Sequence, residues 1–597
     1  MNLSGFKKRM ITFLCTIPPV YHILERLHPG IRMYFPTPKK YRYRYAHISR
    51  TQQTERNSTS AAQAEVLFSV IVSGKVPSHR HLRHTVSSLL QQSCRRFSVV
   101  WEAPIEEGRK SRLQARFQKR GIPCCFVTSF LPTQRPAEYS LFLAVGDRLA
   151  PTAIAEYRQA AGQGADLIYA DEDVLTRHGR RGFPFFKPDF SLELFRNQDY
   201  ITGSAAVSNR TLLRYENGET VGLLLYRMVA FSPLHPIKIA HIRKALIFKR
   251  EALLPDEDFL AAKKAILAES LAECRVPASV CQKEPLPDCF TMVPALLETP
   301  LVSILIPNQD HVPDLKRCLD SIFEKTTYPN FEILILENNS RRKETQAYYC
   351  SLSGNPKIRI VDCEMTSGFN YSAINNRGAK SAKGDYFLLL NNDTEVISPD
   401  WIEQMLLFAM MPSIGAVGAN LFYPDNSLQH AGVILGVGGI ADHAFKGLRD
   451  PLGGYAHLNL MQRNISAVTA ACLMVKKQDY LAVDGLDEAF AVTFNDIDFC
   501  LRLQKRGLTN CQTPYAQLYH HESISRGSDE SGEKKLRFFS EIQRFMDRYE
   551  PLLLAGDPYY HPNLSLLRSY CYRRPDEPNP TLALKRELAA FDLLNEK

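Results

Sequence analysis

Hydrophobic positions along this chain follow one order, and the order is written twice. Leu67-Phe68-Ser69-Val70-Ile71-Val72 has the continuity of a buried strand, and Leu82, Val86, Leu89 and Leu90 then recur at helical spacing. Phe97-Ser98-Val99-Val100-Trp101 returns to strand. A strand, a helical crossover and a second strand predict parallel pairing in a doubly wound sheet. Tyr139 to Leu143 is a further strand, residues 151–161 a helix, and Leu167-Ile168-Tyr169 a strand with Asp171-Glu172-Asp173 just past its end. The order restarts at Leu301 to Pro307, a strand followed by a helix whose apolar face is Leu315, Cys318, Leu319, Ile322 and Phe323. Phe331 to Leu336 is the next strand.

Ser69 and Ser303, Leu89-Leu90 and Ile322-Phe323, and Phe97 and Phe331 stand at nearly constant separation, and Tyr139 matches Tyr386 further on. An internal duplication explains this. The expected organisation is an arm at 1–65, one α/β domain over 66–298, a second over 299–530, and a helical, Pro-rich tail over 531–597. Glu284-Pro285-Leu286-Pro287 through Glu298-Thr299-Pro300 marks the join.

The chemistry is concentrated in the second copy. Asp385-Tyr386-Phe387-Leu388-Leu389-Leu390-Asn391-Asn392-Asp393 runs from an apolar strand into a polar cluster, so a carboxylate arrives at the carboxyl edge of a sheet, where open α/β folds bind ligands. One carboxylate beside two carboxamides suits Mg²⁺ or Mn²⁺, which can draw further oxygen ligands from a substrate diphosphate. Glu337-Asn338-Asn339-Ser340 closes a neighbouring strand on the same edge. Phe494-Asn495-Asp496-Ile497-Asp498 opens a helix, and the helix dipole favours an ionised Asp496 in its first turn. A strand over Ala516 to Tyr519 ends in His520-His521-Glu522-Ser523, and an imidazole there completes a metal shell.

Composition narrows the classes. The 597 residues are 45% hydrophobic and 23% charged, as in globular proteins. No apolar run approaches the ~18 to 20 residues of a membrane span, and Met10 to Ile17 lacks a cleavage site, so the expected location is the cytoplasm. Fourteen cysteines without C-x-x-C spacing read as reduced thiols. The net charge of +10 sits mostly at the start, where residues 1–60 hold eleven Lys and Arg against Glu25 and Glu55. Phe6, Phe13, Tyr21, Tyr41, Tyr43 and Tyr45 are interleaved with those charges. The mixture suits peripheral contact with the anionic inner face of a membrane, and no nucleic-acid-binding motif accompanies it.

Residues 301–527 resemble the family 2 glycosyltransferases of GT-A fold. The resemblance is carried by the I-L-I-P strand, Glu337-Asn338-Asn339-Ser340, the Asn391-Asn392-Asp393 variant of the D-x-D element, F-N-D-I-D-F-C-L-R and Y-H-H-E-S-I-S-R-G. Leu428-Gln429-His430-Ala431-Gly432 and Asp557-Pro558-Tyr559-Tyr560-His561-Pro562-Asn563 are similar to segments of two-domain bacterial rhamnosyltransferases and O-antigen glycosyltransferases. The resemblance implies two tandem GT-A domains, Rossmann-like, and an inverting, metal-dependent transfer. The donor would be a nucleotide sugar, dTDP-rhamnose or a UDP-hexose, and the acceptor a lipid-linked or polysaccharide hydroxyl. It implies donor binding by Pro307, Glu337, Asn339, Asn391, Asn392 and Asp393, with the cation held by Asp393 and His520 or His521 and Asp496 as general base. Glu337 and Asn391 replace the family's more frequent Asp, and Asn495 its Glu.

Aligning Tyr139 with Tyr386 puts Ala144 opposite Asn391 and Gly146 opposite Asp393, so the first copy reads as a fold without transfer chemistry. The competing view rebuilds a site from Asp147 and the Asp171 to Asp173 cluster. A processive synthase fits less well: such enzymes, as their family is known, carry a Q-x-x-R-W motif and membrane helices, and the only tryptophans here, Trp101 and Trp401, are not in that context. A nicotinamide dehydrogenase is excluded by the lack of G-x-G-x-x-G after an opening strand. The remaining alternative is a carbohydrate-binding scaffold in which both copies have decayed.

Overall fold

The structure is a computed structural model that describes residues 67–76, 78–128, 137–175, 181–215, 219–250, 256–363, 368–521, 532–574 and 576–595. The basic arm and residues 522–527 of the last motif lie outside them. The chain separates into two compact units, one reaching Cys274 and including Val280–Phe290, the other Arg275–Ser279 with Thr291 onward.

The first unit is built on β1 (Phe68–Ser73), β2 (Phe97–Trp101), β3 (Cys124–Phe126), β4 (Tyr139–Ala144), β5 (Arg148–Leu149), β6 (Leu167–Leu175), β7 (Arg181–Phe185), β8 (Ala206–Ser208) and β9 (Ile239–Arg250). They form one sheet in the order β3-β2-β1-β4-β8-β6-β9-β5, with β7 on β6. The strands from β3 to β4 are parallel, and β8 enters antiparallel. The division between units falls in the segment holding β10 (Ala278–Lys283) and β11 (Leu286–Pro294).

The second unit contains β12 (Val302–Asn308), β13 (Phe331–Glu337), β14 (Ile358–Asp362), β15 (Tyr386–Leu390), β16 (Thr394–Val396), β17 (Ile414–Phe422), β18 (Leu428–His430), β19 (Val433–Leu435), β20 (Ala441–His443), β21 (Arg463–Ile465), β22 (Cys472–Lys476) and β23 (Thr509–His520). Its main sheet runs β14-β13-β12-β15-β22-β17-β23-β16. Position for position this is the order of the first unit, and the parallel and antiparallel pairings agree along the whole path. The expected pair of α/β domains of one design is present.

Local sequence explains the elements. All seven residues of β12 are buried, as a central strand covered on both faces requires. Each fully buried Leu, Ile or Phe in such a strand contributes about 1.5 to 3 kcal/mol. The helix Val312–Lys325 buries Leu315, Cys318, Leu319 and Ile322 against the sheet, whereas Phe323 is 40% exposed and lies off that face. Gly384 precedes β15 where the chain crosses β12: a Cβ there would lie 2.7 Å from Leu301 O and Ser303 N, so only glycine allows the approach. The helix Gly532–Ala555 belongs to the second unit's core, contributing Ile542, Phe545, Met546, Tyr549 and Leu553.

Two expectations need correction. Asp171-Glu172-Asp173 does not follow a strand but lies inside β6, with Asp171 and Asp173 fully buried. Asp171 Oδ1 accepts the Lys187 backbone N–H at 2.9 Å and faces His241 Nε2 at 3.0 Å, and partners of this kind let a carboxylate sit within a strand. The short strand over Ala516 to Tyr519 is the end of the twelve-residue β23, which includes His520. Among the described residues every cysteine is a free thiol, and no helix is long and apolar enough to cross a membrane.

Candidate active site

The carboxyl edge of the second unit's sheet gathers most of the polar residues singled out above. β12 and β13 pair in register, Pro307 with Leu336 and Asn308 with Glu337. A chain of hydrogen bonds then crosses three strand ends. Asn392 Nδ2 donates to Asn308 Oδ1 at 2.7 Å, Asn308 Nδ2 to the Tyr349 hydroxyl at 2.8 Å, and that hydroxyl to Glu337 Oε2 at 2.5 Å. Burial, reinforced by the Glu337 carboxylate, raises the Tyr349 pKa, so the phenol stays protonated and donates. Glu337 also accepts from Ser340 N at 2.5 Å and Ser340 Oγ at 2.8 Å. It therefore fixes the loop through Asn338 and Asn339, in which Asn339 adopts a left-handed φ of 60°, a conformation asparagine tolerates.

β15 delivers Asn391-Asn392-Asp393 into the turn before β16, and β16 pairs with the end of β23, Thr394 opposite His520. This brings Asp393 Oδ1 and His520 Nε2 to 3.2 Å, both mostly buried. Asn391 Nδ2 also lies 3.2 Å from His520 Nε2. His521 turns away and places Nε2 3.2 Å from Glu395 Oε2. Adjacent residues of an extended chain point to opposite sides, so only one of the two histidines reaches Asp393.

Gln429 decides which nitrogen of His520 is available. Its Oε1 accepts from His520 Nδ1 at 2.7 Å, and its Nε2 donates to the His520 carbonyl at 3.3 Å. A neutral ring held this way keeps its proton on Nδ1 and turns the Nε2 lone pair toward Asp393. Two lone-pair atoms then face each other at 3.2 Å, and a divalent cation or a proton between them removes the repulsion. Among the described residues no group of three His, Cys, Asp or Glu is arranged to hold a metal. The Asp393 and His520 pair fits a cation that draws its other ligands from a diphosphate. Outer partners of a metal-bound histidine are worth 10- to 100-fold in affinity. Gln429→Ala is therefore expected to weaken Mn²⁺ binding by about that factor, read by the paramagnetic resonance signal of free Mn²⁺.

Asp496 sits in the first turn of the helix Asn495–Lys505. Its Oδ1 accepts the Ile497 N–H at 2.8 Å and its Oδ2 the Ala470 N–H at 3.1 Å. The residue before the helix, Phe494, takes a left-handed φ of 64° and is held by ring contacts with Phe538 and Phe545. Glu541, buried in the helix Gly532–Ala555, accepts three consecutive backbone N–H groups just upstream, Ala491 at 2.9 Å, Val492 at 3.2 Å and Thr493 at 2.8 Å. The second acid of the motif has another role: buried Asp498 receives Arg548 at 2.6 Å, Arg502 at 2.7 Å and the Tyr549 hydroxyl at 2.7 Å. One carboxylate of the motif faces a cavity and the other clamps the helix Gly532–Ala555.

That cavity, of about 160 Å³, is lined by Asn391, His520, Asp496, Gln429, His443 and Tyr371 among others. His443 is backed by His430, whose Nδ1 lies 2.6 Å from His443 Nδ1 and whose Nε2 accepts from Thr469 N at 3.4 Å. Burial, then the neighbouring His443, drives the His430 pKa well down, so His430 is neutral. The sequence pointed to Asn391, Asp393, Asp496 and His520. It gave no role to Gln429, although the L-Q-H-A-G segment had been marked, nor to His443 or Glu541.

In the first unit the acidic residues of β6 are paired within the unit. Glu172 accepts Lys187 at 2.8 Å and Lys249 at 3.1 Å, and His241 lies between Asp171 and Asp189, 3.0 and 2.9 Å away. Glu172 and Asp171 are thus met by side chains of the same unit.

Residues 303–478 match the family model described as Glycosyl transferase family 2. A Sinorhizobium fredii protein described as uncharacterized protein y4gI is 35% identical over 449 residues, 72% of this chain and 49% of that protein. The O-antigen biosynthesis protein RfbC of Myxococcus xanthus is 35% identical over 462 residues, 74% of this chain and 35% of that protein. An N-acetylglucosaminyl-diphospho-decaprenol L-rhamnosyltransferase of Mycobacterium tuberculosis is 26% identical over 239 residues, 36% of this chain and 75% of that enzyme. The chain spans less than half the length of the first two relatives.

Proposed function

We propose that this chain, whose second unit belongs to glycosyl transferase family 2, moves a sugar from a nucleotide-sugar donor to a hydroxyl of a growing cell-surface polysaccharide. The observation that carries this is the cavity lined together by Asp496, Asn391 and His520, with Asp393 beside the imidazole. Asp496 acts as general base: an acceptor hydroxyl in the cavity gives it a proton while the oxygen attacks the anomeric carbon and the bond to the diphosphate breaks. Two backbone N–H groups hold the carboxylate in place as it does so. Asp393 and His520 would hold Mg²⁺ or Mn²⁺, which when bound offsets the charge on the departing nucleoside diphosphate. Pro307, Glu337, Asn339, Asn391 and Asn392 shape the donor pocket, and the bonded chain from Asn392 to Glu337 keeps that edge rigid before the donor arrives.

The names of the relatives favour a rhamnosyl donor such as dTDP-rhamnose and a lipid-linked acceptor. The basic, aromatic arm at 1–65 would bring the enzyme to the inner face of the membrane where such an acceptor lies.

A hydroxyl that Asp496 deprotonates and that displaces the diphosphate in one step inverts the anomeric carbon. Incubation with dTDP- and UDP-sugars and a lipid-linked acceptor extract is expected to give a product whose anomeric configuration, read by NMR, is opposite to the donor's. Retention would mean that Asp496 is not the base.

A further inference from the structure

The first unit keeps the strand order of the second but changes what its edge carries. β5 pairs with β9 as β16 pairs with β23, with Arg148 opposite Phe248 and Glu395 opposite Tyr519. Gly146 then stands for Asp393, Lys249 for His520 and Arg250 for His521. A residue that would hold a cation is replaced by one that is a cation.

Lys249 turns inward to Glu172, but Arg250 does not. The Arg250 backbone N–H bonds Asp147 Oδ1 at 2.9 Å, and its side chain crosses Gly146, where an added Cβ would lie 3.3 Å from Arg250 Cδ and 3.4 Å from His81 Cδ2. The absence of a side chain at Gly146 opens the space that these groups share. Thr85 ties the helix His79–Leu90 to the same turn, accepting Gly146 N–H and donating to Asp147 O, both at 2.8 Å. The first turns of that helix bring Arg80, His81, Arg83 and His84. Arg148 Nη2 bonds His84 Nδ1 at 2.7 Å.

Among the described residues no carboxylate forms an ion pair with Arg80, Arg83, Arg148 or Arg250. The carboxylate in the turn, Asp147, is buried and pushed up to about 6 by that burial, with Lys249 facing it. The positive field registers on the imidazoles: burial, then Arg250, Arg80 and Arg148, lower the His81 pKa, and burial, then Arg148, Arg80 and Arg83, lower that of His84. Clustered guanidiniums repel one another, and an anion with several oxygens relieves the repulsion while accepting their N–H groups.

We propose that this edge of the first unit binds a diphosphate group directly through Arg80, Arg148 and Arg250, without a metal ion. The cluster stands whether or not the second unit transfers sugar. The diphosphate is either free or carried on a lipid, and the two sources are separable.

The test is calorimetric titration of the full chain in EDTA with inorganic pyrophosphate and, separately, farnesyl diphosphate. Wild type is expected to bind, and Arg80→Gln with Arg250→Gln to bind at least about tenfold more weakly for each arginine lost, with an unchanged thermal midpoint. Equal affinity for the two probes assigns the site to free diphosphate, and tighter binding of farnesyl diphosphate to a lipid-borne one. Should the double variant unfold, Arg80→Gln alone, at an exposed helix position, must still weaken binding. Absence of binding by wild type in EDTA, or undiminished binding by the folded variants, overturns the proposal.

Discussion

Asp496→Asn is expected to lower the turnover number by about 10² to 10⁴, the range that a positioned general base supplies. The carboxamide has the shape of the carboxylate but cannot take a proton from the acceptor hydroxyl. Its oxygen can keep one of the two backbone N–H groups, Ala470 or Ile497, and its NH₂ then confronts the other. The helix Asn495–Lys505 also loses a negative charge at its amino end. A fall of about 1 kcal/mol in stability accompanies the loss of turnover. Donor KM is expected to stay within a few-fold, because the proposed donor site rests on Asn391, Asp393 and the Asn392-Asn308-Tyr349-Glu337 chain, which the substitution leaves alone. A large rise in donor KM with intact turnover would place Asp496 in binding instead.

Asp393→Ala acts on a different quantity. It removes the carboxylate facing His520, and the expected loss in Mn²⁺ affinity exceeds the 10- to 100-fold expected of Gln429→Ala, because an outer partner is worth less than a ligand. The turn itself should survive, since the Asp393 carbonyl accepts His521 N–H at 2.9 Å and the Asn391 carbonyl accepts the Thr394 hydroxyl at 2.8 Å, and both are backbone acceptors the alanine retains. Turnover is expected to fall with metal affinity. Full Mn²⁺ binding by Asp393→Ala would move the cation elsewhere.

How much of this was legible in the sequence depended on how local each cause is. β12, β13 and β15 were visible because central strands of a covered sheet are continuous apolar runs, and the turn carrying Asp393 follows directly from one of them. The duplication was legible for the same reason, and the strand orders of the two units agree throughout. Asp171 to Asp173 misled because a buried carboxylate inside a strand is made possible by Lys187, His241 and Lys249, residues distant in sequence. Gln429 and His443 lie on three-residue strands too short to show a period. Glu541 was hidden for another reason: its three N–H partners lie about fifty residues upstream. Which of His520 and His521 faces Asp393 was decided by strand register, which a sequence does not print.

Metal-assisted transfer from a nucleotide sugar is the activity proposed for the second unit. The most direct measurement is release of nucleoside diphosphate from dTDP- and UDP-sugars, with a lipid-linked acceptor, by wild-type protein stripped of metal and then given Mg²⁺ or Mn²⁺. Release is expected to appear with the cation, from one nucleotide class, and to stop again on chelation. Equal release with and without the cation would contradict that proposal.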